Sequence, residues 1–168
     1  MDADAVITLE LHRLRQRRPE LTGVLLASRD GLLVASDLPT TEAAHVAALA
    51  AASAGLGHRF AETLRQGPMR EYVVRAAAGC VVTYPAGRYA LLTLLTPATT
   101  NLDALRTEAY AVAERTGAVF DARWSDDHHD RPLRRADPAA PLATRTPMAT
   151  LPVQSRRPAA TTWRRPPI

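Results

Sequence analysis

The side chains that most resemble a chemical site are two adjacent histidines in the last third of the sequence. His128 and His129 lie in the segment Ser-Asp-Asp-His-His-Asp, residues 125–130. Imidazole and carboxylate groups together suit zinc or nickel. Adjacent histidines lack the i, i+3 or i, i+4 spacing that brings two ligands together on a helix, and no second ligand cluster is near in the sequence. We therefore interpret the segment as a solvated linker and expect no bound metal.

The other candidates for catalysis are isolated. The single cysteine, Cys80, opens a predicted strand between apolar neighbours, which favours a buried packing thiol over a nucleophile, since no arginine or histidine is close in sequence to activate it. Arg59 could act as an arginine finger toward a partner's nucleotide, but its place on a predicted helix favours a solvated role. No nucleophile elbow or phosphate-binding loop occurs around the remaining polar candidates, which are Ser28, Ser36, His45 and His58. The sequence therefore predicts a protein with no catalytic residues and no cofactor.

Charge is unevenly divided along the 168 residues, whose net charge is +4. All 21 basic residues are arginine, which indicates a genome-wide compositional bias and not a binding site. Residues 1–120 carry twelve arginines and twelve carboxylates, whereas residues 121–168 carry nine arginines and five carboxylates. Any electrostatic affinity for nucleic acid or for a membrane surface must therefore come from the C-terminal segment.

Cysteine content and hydropathy indicate the compartment. One cysteine excludes an intramolecular disulfide and fits a reducing environment. The sequence shows no signal-peptide pattern and no apolar run of about 18 residues, so no membrane span is predicted. We expect a soluble, cytoplasmic protein.

The stretch from Thr22 to Ser36 predicts a β-hairpin around which the other elements are arranged. Two short apolar runs, Val24–Ser28 and Leu32–Ser36, flank a turn supplied by Asp30 and Gly31, because glycine adopts φ > 0 without steric cost. The turn fits either a two-residue type I′ turn or a type I turn with a glycine bulge. Both runs are apolar at consecutive positions, which predicts that both faces of the hairpin are covered.

Helices are predicted on either side of this hairpin. The first spans Asp4–Arg17 and is ended by Pro19, with an apolar stripe made by Val6, Leu9, Leu11 and Leu14. The second spans Ala43–Arg65, capped by Thr40 or Thr41. From Ala43 to Gly57 it is apolar on nearly every side, and such a helix must be covered on every side. One face can lie on a sheet, and a second backbone can approach the other closely at its small residues, Ala50, Ala54, Gly55 and Gly57.

Three strands and a last helix follow. The strands are predicted at residues 71–76, 80–84 and 89–96, and the last of these is the most hydrophobic and should be central in the sheet. A helix capped by Thr100 or Asn101 follows, with Gly117 as its C-terminal stop. Eight of the thirteen prolines lie beyond residue 121, without an apolar period. We therefore predict a domain over residues 1–120 and a disordered Pro/Arg-rich tail over residues 121–168.

This order of elements resembles the roadblock/dynein light-chain family. The resemblance is carried by residues 23–36, Gly-Val-Leu-Leu-Ala-Ser-Arg-Asp-Gly-Leu-Leu-Val-Ala-Ser, and is supported by the Ala-rich long helix and the meander over residues 72–96. It implies an α+β fold in the order α-β-β-α-β-β-β-α. In that fold a five-stranded antiparallel sheet has the long helix on one face and two helices on the other.

The resemblance also implies partners. Members of the family form homodimers in which the long helices pack together and the third strands pair into one sheet. Bacterial members regulate or scaffold Ras-like small GTPases, and actinobacterial members often accompany a sensor kinase. No catalytic residue transfers to this chain, and the basic tail departs from the family pattern. We expect the dimer contacts to come from Val46, Ala50, Ala54 and Gly57 on the long helix and from Tyr72 and Val74 on the edge strand.

Two alternatives come from other functional classes. A small-molecule sensor module of the PAS or GAF type shares a five-stranded antiparallel sheet, although the aromatic content of 5% is low for its ligand pocket. Nucleic-acid binding through the tail would use three arginine pairs and one tryptophan, but the pairs are widely separated and diluted by proline. They are Arg134-Arg135, Arg156-Arg157 and Arg164-Arg165, with Trp163 beside the last.

Overall fold

A computed structural model describes residues 2–38 and 42–129, and within that range it confirms the predicted order of elements. The elements are three helices and five strands: α1 (Ala3–Arg17), β1 (Gly23–Ser28), β2 (Leu33–Ser36), α2 (Ala43–Thr63), β3 (Tyr72–Arg75), β4 (Gly79–Ala86), β5 (Ala90–Pro97) and α3 (Leu102–His129). The strands form one antiparallel sheet in the order β2-β1-β5-β4-β3. Helix α2 covers one face, and α1 with α3 cover the other.

Strand β5 is central, as its hydrophobicity predicts. It pairs with β1 from Gly23 opposite Leu95 to Ser28 opposite Ala90, and with β4 along its whole length. Leu92 and Leu94 point into the core beneath α1 and α3, whereas Thr93 faces α2 and shares a hydrogen bond of 3.0 Å with the hydroxyl of Thr83. Both faces of β5 are therefore buried, which explains its nearly continuous apolar sequence.

The hairpin turn takes the second of the two geometries that the sequence left open. The Gly31 N–H donates to the Ser28 carbonyl at 3.0 Å, and Gly31 has φ of +92°, as in a type I turn followed by a glycine bulge. A Cβ at Gly31 would lie 3.2 Å from the Ala48 Cα, so this glycine also allows α2 to approach. The prediction that both runs are covered on both faces is wrong for the second run, where Leu32 and Leu33 are exposed because β2 is a short edge strand.

The observed helix ends and buried stripe differ from the predicted ones at several residues. Asp2 caps α1, whose buried stripe is Ile7, Leu11 and Leu14, while the predicted Leu9 is exposed. Helix α2 ends at Thr63 and not at Arg65, and its predicted caps, Thr40 and Thr41, lie outside the described residues. Asn101 caps α3 as predicted, since its side-chain oxygen accepts from the Asp103 N–H at 3.0 Å.

Gly117 does not end α3, which continues to His129, nine residues past the predicted domain boundary. A Cβ at this position would lie 2.3 Å from the carbonyl carbon of Ala86 and from the Gly87 nitrogen. The glycine therefore lets the helix lie directly against the β4–β5 turn, and this close packing outweighs the roughly 1 kcal/mol that a glycine costs inside a helix. One turn later, Asp121 accepts from the N–H groups of Arg88 and Tyr89 and fixes the same turn.

Helices α1 and α3 are joined by ion pairs as well as by apolar packing. Arg17 and Arg18 each donate through Nε to Glu108, both at 2.6 Å. Burial alone would raise the pKa of Glu108, but these two hydrogen bonds outweigh it and hold that pKa below its ordinary value. The carboxylate therefore stays ionised and keeps the end of α1 on α3.

We expect the two helical glycines to respond in opposite directions to alanine. Gly117→Ala should lower the free energy of unfolding by about 2 kcal/mol, because its methyl group overlaps the β4–β5 backbone. Gly55→Ala on α2 is the matched control, since a Cβ there meets nothing within 4 Å. It should raise stability by roughly 0.5–1 kcal/mol through helix propensity alone. Urea unfolding of both variants checks this, and equal effects would contradict the packing assigned to Gly117.

Candidate interaction surface

Helix α2 presents two apolar faces of different character. Its buried face consists of alanines, Ala47, Ala50 and Ala54, which bring the helix close to the sheet. Its outer face carries Leu49, Leu56 and Phe60, whose side chains are 54%, 54% and 59% exposed. Their spacing of seven and four residues places them on one face of a helix. We call these three residues the outer stripe, and within the described chain nothing covers it.

The four α2 residues predicted to contact a second copy do not lie on this stripe. Ala50 and Ala54 are only 5% and 4% exposed, because they face the chain's own sheet. Val46 is half-buried and packs on the cluster that contains Leu25 and Ala27. Gly57 lies against β3, where an added Cβ would come within 2.9 Å of the Tyr72 ring. The small residues thus permit close packing on the sheet and leave the larger side chains outside.

The two predicted residues on β3 lie at an open edge of the sheet. Strand β3 pairs only with β4, so its other side keeps its backbone N–H and C=O groups unpaired within the described residues. Tyr72 is half-buried and Val74 is 42% exposed. Both stand on the face covered by α2, since Tyr72 pairs with Thr83 and so shares the face of Thr93. The open edge and the outer stripe are therefore adjacent, because α2 crosses β3 where Gly57 meets Tyr72.

The edge strand is held in place by α3. Glu71, directly before β3, accepts from Arg106 through both oxygens, at 3.1 and 2.6 Å. Tyr84 lies beneath this pair, and burial, followed by the negative charge of Glu71, raises the pKa of its hydroxyl above the ordinary value. The Tyr84 ring meets Tyr110 of α3 edge to face, with centroids 5.1 Å apart. A bidentate ion pair over a buried aromatic pair fixes the start of β3.

The residues considered for chemistry show no catalytic arrangement in the described part of the chain. Cys80 is buried, as predicted, although the β3–β4 hairpin brings an arginine opposite it, with Arg75 Nη1 3.9 Å from its sulfur. The two residues are close because they pair across this hairpin, a contact that the sequence analysis did not predict. His58 is exposed and lies 3.2 Å from Glu62. No group of three potential metal ligands occurs among the described residues, and the side chains of His128 and His129 lie outside them. No described helix is long and apolar enough to cross a membrane.

Comparison with known proteins identifies the fold with one family. The profile of the Roadblock/LC7 domain matches residues 7–96. An uncharacterized protein of Methanocaldococcus jannaschii, MJ1340, is 31% identical over 101 residues, which cover 60% of this chain and 88% of that protein.

Solved structures agree. A Roadblock/LC7 domain from Streptomyces avermitilis is 25% identical with a TM-score of 0.61, covering 64% of this chain and 92% of that one. An MglB described with a tetrameric arrangement superposes with a TM-score of 0.65 at 19% identity, over 71% of this chain and 90% of that one. The gliding protein MglB of Thermus thermophilus has a TM-score of 0.64 at 18% identity, over 71% and 91%. At these lower identities the MglB structures support the fold alone.

The two faces of α2 should tolerate charge very differently. Ala47→Glu places a carboxylate on the apolar cluster of Leu25 and Ala27 and should lower the free energy of unfolding by about 3 kcal/mol or more. Leu56→Glu, on the outer stripe of the same helix, points away from the sheet and should change it by less than about 0.5 kcal/mol. Urea unfolding at high dilution measures both. Equal losses would show that the outer stripe is packed within the chain.

Proposed function

The chain belongs to the Roadblock/LC7 domain family, and we propose that it acts as a non-enzymatic homodimeric regulator or scaffold that binds a Ras-like small GTPase and modulates its nucleotide cycle. The observation that carries this proposal is the apolar outer stripe of α2 beside the open edge of β3, on a fold with this family's profile. Within the described residues of one chain the stripe is exposed and the edge is unpaired, and association with a second copy would cover both.

The dimer is supported by the energetics of the outer stripe. A two-fold contact is made by the same patch on both chains, so Leu49, Leu56 and Phe60 are each buried twice. Burying the exposed half of such a side chain contributes about 1 kcal/mol, so six of them contribute about 6 kcal/mol. The free-energy cost of association spans a range, and this gain offsets a cost at the lower end of that range. Pairing of the two β3 edges would satisfy backbone groups and add to it.

The predicted interface residues take different roles in this dimer. We propose that Val74 and Tyr72 stay in the interface as members of the pairing edge. Gly57 and Val46 support it from below by positioning α2 against β3 and β1. Ala50 and Ala54 set the distance between α2 and the sheet. The outer-stripe residues make the direct contacts that were predicted for these two alanines.

The GTPase as partner is supported by the family resemblance in the sequence, which implies regulation or scaffolding of Ras-like GTPases, in actinobacterial members beside a sensor kinase. The chain's part in this role is positional. It presents a surface, and the chemistry of hydrolysis stays with the GTPase's own groups. The alternative of nucleic-acid binding rests on residues 121–168, of which the structure describes only the part through 129.

A charge on the outer stripe should abolish the dimer without unfolding the chain. We expect Leu56→Glu to give the monomer mass in light scattering, because a two-fold contact would place two buried carboxylates side by side. Leu9→Glu is the matched control, since Leu9 is also an exposed leucine but lies on α1, in the opposite layer. The control should keep the dimer mass. A dimer that survives Leu56→Glu contradicts the interface.

The partner is tested by affinity capture with the full chain. Native lysate is loaded with GDP or with a non-hydrolysable GTP analogue, and bound proteins are identified by mass spectrometry. We expect recovery of a Ras-sized GTPase in one nucleotide state, followed by a changed rate of nucleotide hydrolysis or exchange when the purified proteins are mixed. A dimer that recovers no GTPase in either state would contradict the GTPase role and leave the dimer intact.

A further inference from the structure

The arginines of the described chain divide into two groups according to their partners. Every arginine on or next to α1 and on α3 has a guanidinium nitrogen within 4.0 Å of a carboxylate oxygen. These seven are Arg13, Arg15, Arg17, Arg18, Arg106, Arg115 and Arg123. The layer made by α1 and α3 therefore neutralises its own positive charge.

No arginine between β1 and β5 has such a partner among the described residues. These six are Arg29, Arg59, Arg65, Arg70, Arg75 and Arg88. The Arg75 guanidinium donates to the Cys80 sulfur at 3.9 Å, and the Arg88 guanidinium lies over the Tyr89 ring, 5.4 Å from its centroid. A guanidinium without a carboxylate keeps its positive potential and its bidentate hydrogen-bonding capacity for another molecule.

Five of the six belong to α2 or to turns and connections at one end of the sheet, where β1 and β4 end and β3 and β5 begin. The β1–β2 and β4–β5 turns are adjacent there, since the Arg29 N–H donates to the Tyr89 carbonyl at 2.8 Å, and Arg88 lies next to Tyr89. A cleft of about 100 Å³ opens between Arg29 and α2, and it is lined also by Gly55, His58 and Met69.

Arg59 lies one helical turn beyond Gly55 on the same side of α2. Arg65 and Arg70 lie on the connection that supplies Met69. We call Arg29, Arg59, Arg65, Arg70 and Arg88 the arginine end; Arg75 lies at the far end of β3.

We propose that the arginine end is a docking surface for an acidic patch on a partner protein. This inference rests on the proposed function, because it specifies the surface chemistry that the proposed GTPase partner must present. Arg59 lies on α2 between the cleft side of the helix and Leu56, so it forms a charged rim beside the apolar outer stripe, as in many protein interfaces. Charge complementarity of this kind raises the rate of encounter and fixes the orientation of the partner.

The cleft provides a place for one acidic side chain. Its lining by Ala51, Ala54 and Gly55 leaves space beside α2, and Arg29 and His58 border it. The carboxylates beside it are already engaged, Asp30 with the Ser28 hydroxyl and Glu62 with His58. A carboxylate of a partner can therefore reach Arg29 without first displacing an ion pair.

A protein partner fits this surface better than an extended polyanion. Residues 1–129 carry thirteen arginines and fifteen carboxylates, so this part of the chain has a net charge of −2. The field of a local patch fades within about 10 Å at ordinary ionic strength. A nucleic acid or an anionic bilayer extends beyond the arginine end and also meets the rest of residues 1–129, whose net charge is negative. An acidic patch on a folded protein contacts the arginine end alone.

The test measures binding of a short fluorescent tetraglutamate peptide, which is no larger than an acidic patch, to the full chain by anisotropy, at about 20 mM and about 300 mM NaCl. Arg29→Glu and Arg59→Glu should each weaken binding about fivefold to tenfold at low salt, and the difference should shrink at high salt. Arg13→Glu is the control, with the same charge change on an exposed arginine that is already paired with Glu10. It should weaken binding less than about twofold. The basic tail contributes equally to every variant, so the comparison isolates the arginine end.

Each other outcome has a definite meaning. Equal weakening by all three variants, or by none, would overturn the inference, because binding would then follow net charge or the tail. Tighter, equally Arg29-dependent binding to a DNA duplex, or to vesicles of phosphatidylserine in phosphatidylcholine, would replace the acidic protein with that partner. Capture of a GTPase by the wild type and equally by Arg29→Glu would overturn the inference and leave the proposed function. The expected tetraglutamate results, together with capture of no GTPase, would support the arginine end and contradict the GTPase role.

Discussion

The pairing of β5 with both β1 and β4 is the interaction on which the rest of the structure depends. It joins the N-terminal hairpin to the C-terminal meander across more than sixty residues of sequence, from Gly23 opposite Leu95 to Ser28 opposite Ala90. Such a long-range ladder is costly to close and is stabilised once both faces are covered. The helices must therefore lie on both sides of β5. Their two sides differ: large apolar side chains such as Leu11 and Leu105 pack from α1 and α3, whereas alanines pack from α2.

That difference decides how α2 is used. Because its sheet-facing residues are alanines, α2 lies close to the strands and buries little apolar surface on its inner side. The larger side chains of the same helix point outward. A helix with this distribution is better suited to sit between the sheet and a second apolar surface than to face water. Its crossing with β3 at Gly57 brings the outer stripe and the open edge into one continuous region.

The charges follow the same division into two layers. Carboxylates and arginines on α1 and α3 neutralise each other, and Glu71 extends this pairing to the start of β3. Individual surface pairs of this kind contribute little stability, but together they neutralise the positive charge of that layer. The arginines around α2 and the two neighbouring turns have no such partners in the described chain and remain available. The apolar and the electrostatic observations thus indicate the same side of the molecule for recognition.

The sequence by itself determined the elements, their order and the central strand, because apolar periodicity and turn residues such as Asp30 and Gly31 act locally. The family resemblance supplied the layer arrangement. Sequence reasoning was insufficient where a residue's role depends on what lies across from it. Gly117 has the composition of a helix stop, yet the backbone of Ala86 makes it a packing position inside α3. Ala50 and Ala54 are suited to close approach, but only the tertiary structure decided that the approaching surface is the chain's own sheet. Leu56 and Phe60 were identifiable from their size and spacing, although a helix that is apolar all round conceals which side is free. The pairing of arginines was also undetermined by sequence, since the carboxylates that neutralise Arg17 and Arg106 lie far away along the chain and only folding brings them together.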